Sequence, residues 1–132
     1  MTDFSERLEL YLEGGMINDH DVENINNVIK MFRELYDIEL CEENADTFIA
    51  HLCAAYGRLQ TNEEVDDLPD VVMDEIRGLE TYDKSLEMLE EMLKVTDSPL
   101  NETEQKYALL HINNLLSKLA EAPEEEVSEE LE

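Results

Sequence analysis

The sequence predicts an all-α protein, an antiparallel bundle of five or six helices. Three observations predict it. Apolar residues recur at three- and four-residue spacing along most of the chain, the period of one buried helix face. No stretch alternates apolar and polar residues as a half-buried strand does. Glycine, proline and asparagine interrupt the pattern at intervals of helix length. At 132 residues with 42% apolar content, one domain with a real core is expected.

Each element has a local reason. Phe4 to Leu12 reads as a first short helix, closed by Gly14-Gly15. Asn18 or Asp19 caps a second helix with Asp21 in its first turn. Its stripe is Val22, Ile25, Ile29, Phe32 and Tyr36, and it fades near Asp37. A third helix is expected from about Glu42 to Leu59 on Phe48, Leu52, Ala55 and Leu59, broken by Thr61-Asn62. An acidic loop leads to Pro69, which fits the first turn of a helix because its missing N–H costs nothing there. Val72, Ile76 and Leu79 give that helix a face, and Gly78 and Thr81 mark a break. Tyr82 to Val95 continues on Leu86, Leu89 and Leu93. Asp97-Ser98-Pro99 is a turn. Asn101 with Glu104 three residues later matches a capping box, opening a last helix to about Leu119 on Ala108, Ile112, Leu115 and Leu119. Residues 1–119 form the expected bundle. Residues 120–132, with seven glutamates and no base, read as an acidic disordered tail.

Charge and composition exclude several functions. The chain has 35 acids and 9 bases, a net charge of −26. Such a surface repels phosphate backbones and anionic membranes, so no direct nucleic-acid or membrane partner is expected. No stretch approaches the roughly 18 apolar residues of a membrane span, and no apolar leader follows Met1. A cytoplasmic protein with reduced Cys41 and Cys53 is expected. Cys41, Cys53 and His51 lack zinc-ligand spacing. No nucleophile–base motif, phosphate loop or HExxH phrase is present. Neither His51 nor His111 follows a glutamate by three residues, the spacing a di-metal bundle site needs. No catalytic residue, metal or cofactor is therefore expected.

Two of the three histidines sit inside apolar helical phrases. One is Phe48-Ile49-Ala50-His51-Leu52-Cys53-Ala54-Ala55-Tyr56-Gly57-Arg58-Leu59; the other is Glu104-Gln105-Lys106-Tyr107-Ala108-Leu109-Leu110-His111-Ile112. A polar imidazole there must be satisfied or used. Arg58 lies two turns after His51 on the same face, a rise of ~10 Å, and its side chain leans back toward His51. Small residues from Ala50 to Gly57 admit a close backbone neighbour. His20, in a polar capping segment, reads as a solvated helix-start residue.

The paired phrases resemble the PTS regulation domain family, helical modules through which the bacterial sugar phosphotransferase system signals by phosphorylating histidines. His51-Leu52 through Arg58 matches the family's first signature, and Glu104 through Ile112 its second. The resemblance covers roughly residues 4–119. It implies phosphorylation at His51 and His111 by the histidine phosphocarrier or a sugar permease component. It makes Arg58 the candidate phosphate contact and Glu104 a supporting residue. It further implies a non-catalytic homodimer acting on transcription regulation through dimerisation or a partner. Family regulators usually carry two copies beside a nucleic-acid-binding module; this sequence has one copy and no basic module. Ala50 stands where some members place an acid before the first histidine. The alternative reading is an acidic helical adaptor that binds a basic protein without phosphorylation.

Overall fold

A computed structural model describes residues 3–97 and 99–131, with side chains described through residue 120. Six helices follow one another: α1 (Ser5–Glu13), α2 (Asp19–Tyr36), α3 (Glu42–Thr61), α4 (Asp70–Arg77), α5 (Tyr82–Val95) and α6 (Glu102–Leu131). No strand occurs among the described residues. The chain folds as the expected all-α antiparallel bundle. α6 packs along α3 and α5, and α2 closes the far side of both. α1 lies on α2, and α4 lies on α6.

The punctuation acts as read. Gly15 takes a left-handed φ of +79°, which glycine adopts without a Cβ penalty. Asn18 caps α2, accepting from Asp21 N at 2.8 Å while the Asp21 carboxylate accepts from Asn18 N. Asp37 and Asn62 close α2 and α3 in the left-handed conformation that short polar side chains tolerate. Pro69 stands at the N-cap of α4, one residue outside its first turn. Ser98, part of the expected turn, lies outside the described residues.

The core differs from the expected stripes by small rotations. α2 buries Ile25, Val28, Met31 and Phe32, whereas Val22, Ile29 and Tyr36 are only partly buried. α3 buries Phe48, Leu52 and Ala55 as expected, plus Ile49, Cys53 and Tyr56. Leu59 is corrected to an exposed position. α4 buries Met73 and Ile76, while Leu79 is half exposed. α5 centres on Met88, Leu89 and Met92, with Leu86 and Leu93 at the margin. Unbranched methionine fills gaps on these faces. α6 continues past the expected end near Leu119 to Leu131. The side chains of 121–132, which carry most of the expected acidic tail, lie outside the described residues.

The small residues of α3 serve the chain's own packing. Cys53 and Ala55 are fully buried. Gly57 faces the turn between α1 and α2, where a Cβ would stand 2.8 Å from the Met16 carbonyl oxygen. The close backbone neighbour expected of these small residues is, at Gly57, the chain's own Met16. Arg7 then bonds Glu42 and Asp46, tying α1 to the start of α3.

Gly57→Ala should lower the urea unfolding midpoint. Helix propensity favours alanine by about 1 kcal/mol. Forcing a methyl against fixed backbone costs about 1–3 kcal/mol. A raised midpoint would show that the turn at Met16 yields freely.

Candidate functional site

The site is built where the last turn of α3 meets the first turn of α6. Arg58 occupies that last turn and Glu104 that first turn, each on the side its helix dipole favours. Asn101 Oδ1 accepts from Glu104 N at 2.8 Å and caps α6. The reciprocal arm of the expected capping box is redirected: the Glu104 carboxylate reaches across to α3. Arg58 Nε donates to Glu104 Oε2 at 2.6 Å, and Arg58 Nη2 donates to Oε1 at 2.9 Å. This is the two-pronged fork that guanidinium and carboxylate make best. Glu104 is 2% exposed and Arg58 23%.

Glu104 also holds His51. His51 Nε2 lies 3.3 Å from Glu104 Oε1, so Oε1 meets both residues of α3. His51 Nδ1 is buried and has no hydrogen-bond partner among the described residues. The His111 ring lies on His51, centroids 5.0 Å apart and planes 29° apart. Tyr107, one turn before His111, sets its ring 5.8 Å from that of His51. Its hydroxyl donates to the Asp66 carbonyl at 2.9 Å. Lys106 pairs with Asp67 at 3.1 Å, so the acidic loop before α4 is anchored beside the site.

These surroundings set the protonation states. Burial lowers the His51 pKa and the Arg58 charge adds to that, against an opposing pull from Glu104. Burial and the neighbouring His51 lower His111 to about 4. Both rings are therefore neutral near pH 7. Burial acts to raise the Glu104 carboxyl, but the Arg58 hydrogen bonds and charge, with His51, hold it below the ordinary carboxylate range. The same carboxylate raises Arg58 further. Burial pushes the Cys53 thiol up to about 12, which leaves it inert.

A family model for the PRD domain matches residues 26–115, a span that holds His51, Arg58, Glu104 and His111. The chain belongs to the PRD family. No curated protein and no solved structure matches the chain significantly. PRD domains are all-α regulatory modules governed generally by histidine phosphorylation. Among the described residues, no group of three or more His, Cys, Asp or Glu side chains is placed to hold a metal ion. Among them, too, no helix is long and apolar enough to cross a membrane.

All four residues singled out in this PRD-family sequence meet in one cluster. The Arg58 guanidinium, expected to lean back toward His51, is held by Glu104 in the resting fold. Tyr107 is the residue that sequence reasoning missed; its place one turn before His111 was the available signal. His20 is also more than a solvated helix start. Its Nε2 lies 2.6 Å from Asp97 Oδ1, which ties α2 to the turn before α6 and raises the His20 pKa.

Two predictions arise from this cluster. Glu104→Ala and Arg58→Ala should each destabilise the fold by about 3 kcal/mol, because each strands a buried or half-buried charge. Replacing both by alanine should cost clearly less than the two single losses added together, because no charge is then left unpaired. A urea-denaturation double-mutant cycle measures this, and additive losses would refute the coupling.

The second concerns pH. His51, His111 and Glu104 all have folded pKa values below their unfolded ones. The unfolded chain thus binds more protons, and stability must fall as pH falls. The histidine contribution is complete above about 6.5 and disappears toward pH 4. His20, with its raised pKa, works in the opposite sense but lies at the surface. The melting temperature should drop between pH 7.5 and 5, and His111→Asn should flatten that drop. An unchanged slope would contradict the burial assigned to His111.

Proposed function

We propose that the chain is a non-catalytic regulator of the bacterial sugar phosphotransferase system, switched by phosphorylation at His51 and His111. One observation carries this reading: two neutral, stacked imidazoles in a PRD-family fold, braced by a buried Arg58–Glu104 pair. A neutral imidazole nitrogen near pH 7 is a competent nucleophile for a phosphoryl group. The donor is the histidine phosphocarrier or a sugar permease component, so the protein works in the cytoplasm. Residues 1–119 are the regulatory unit and 120–132 an acidic tail.

The output follows from charge. A phosphoryl group brings nearly two negative charges into a cluster that already holds the buried Glu104 carboxylate. Accommodating that group would repack the rings between α3 and α6 and alter the surface above them. The regulator acts on transcription through a homodimer or a partner protein. Met16, which meets Gly57, and Leu59 are 38% and 36% exposed and offer apolar area for such a contact. With −26 on each chain, dimerisation should strengthen as salt screens the repulsion.

Incubation with phosphorylated phosphocarrier, followed by mass spectrometry under alkaline conditions, tests the reading. Acid-labile phosphate is expected on His51, His111 or both, and none on the double alanine variant. Light scattering of the same samples reads the accompanying change in assembly. An active donor that leaves both histidines unmodified would sink the proposal and favour the acidic adaptor.

A further inference from the structure

We propose that the Arg58–Glu104 pair fixes which nitrogen of His51 is the acceptor: Nδ1 takes the phosphoryl group while Glu104 keeps the proton on Nε2. The inference deepens the phosphorylation reading above and rests on it for the acceptor role. Its tautomer half stands on geometry alone.

A neutral imidazole carries one hydrogen and one lone pair, and its partners decide which nitrogen has which. Glu104 Oε1 is 3.3 Å from His51 Nε2. The two bonds from Arg58 keep that carboxylate ionised, so it can only accept. Nε2 must then bear the hydrogen. Nδ1 holds the lone pair, buried with no hydrogen-bond partner among the described residues. A buried donor left without a partner is costly. Placing the hydrogen on Nδ1 would create such a donor and set two lone pairs, of Nε2 and Oε1, against each other. Both penalties favour the same tautomer. His111 has no comparable brace. Its described neighbour is the His51 ring, not a carboxylate.

The transfer balances without any proton leaving His51. The Nδ1 lone pair forms the new N–P bond as the donor's N–P bond breaks. The donor nitrogen leaves with that electron pair. His51 becomes a phosphorylated imidazolium, with its positive charge shared onto Nε2–H. The hydrogen bond to Glu104 is thereby strengthened, because both partners now carry charge. Glu104 is a positioning residue in this step, and Arg58 acts through it by holding the carboxylate charged. Nδ1 is enclosed in the resting fold, so the ring packing of His111 or Tyr107 has to open for the donor to reach it.

The test uses the full chain labelled with nitrogen-15. Long-range proton–nitrogen NMR reads the protonation of each ring nitrogen at pH 7. The Nε2–H tautomer of His51 is expected to exceed the other by at least about tenfold, as a charge-assisted hydrogen bond sets. Glu104→Gln should reduce that ratio about tenfold, and circular dichroism confirms its fold. The wild type is then phosphorylated by two donors, the phosphorylated phosphocarrier and phosphoramidate. Phosphorus–nitrogen coupling identifies the bonded atom. Coupling at His51 Nδ1 supports the proposal. Coupling at Nε2, an Nδ1–H tautomer, or a freely averaging ring overturns it, whatever Glu104→Gln does. Modification of Nδ1 by phosphoramidate but not by the carrier upholds it while refuting the proposed donor. Failure of both donors at His51 removes the acceptor half, and the tautomer ratio alone then decides the role of Glu104.

Discussion

The buried carboxylate of Glu104 is the constraint around which this molecule is arranged. A charge at 2% exposure is tolerable only when it is paired and its lone pairs are used. Arg58 supplies two hydrogen bonds, His51 a third, and the first turn of α6 a favourable dipole. Those demands fix the approach of α3 to α6. They also hold His51 in the position where His111 can stack on it.

The scarcity of bases makes their placement informative. Nine cations face 35 acids, and several of them join separate elements. Arg7 joins α1 to α3, Lys106 joins α6 to the acidic loop, and Arg58 joins α3 to α6. Exposed pairs of this kind contribute little to stability. The Arg58 pair differs because its partner is buried, so losing either member leaves an uncompensated charge. Family membership supplies the general mode of regulation, by histidine phosphorylation; the local electrostatics tie the α3–α6 contact to the charge of Glu104.

Burial works in the same direction. Both imidazoles are pushed toward the neutral form, which leaves a nucleophilic lone pair available at physiological pH. The Cys53 thiol, raised to about 12 by the same interior, is silenced. One apolar environment thus leaves each imidazole a lone pair and withholds the thiolate from Cys53.

The sequence by itself determined the fold class, five or six helices with starts within a few residues of those observed, and four residues that meet in the cluster, His51, Arg58, Glu104 and His111. Period and punctuation are local properties, set by side chains three or four residues apart and by caps such as Asn18 and Asn101. The matched seven-residue steps, His51 to Arg58 and Glu104 to His111, even carried the register. Antiparallel helices that oppose Arg58 to Glu104 also oppose His51 to His111. What only the tertiary structure decided was the partner of each group. The Arg58 guanidinium goes to Glu104, Gly57 receives a backbone carbonyl of its own chain, and Tyr107 covers the His51 ring. Leu59 faces outward although its spacing suits the core, because Tyr56 and Cys53 turn the buried face of α3 away from it. Spacing specifies which residues share a face. The choice among candidate contacts on that face is made by which neighbouring helix arrives, at what angle, and by the cost of leaving a buried charge alone.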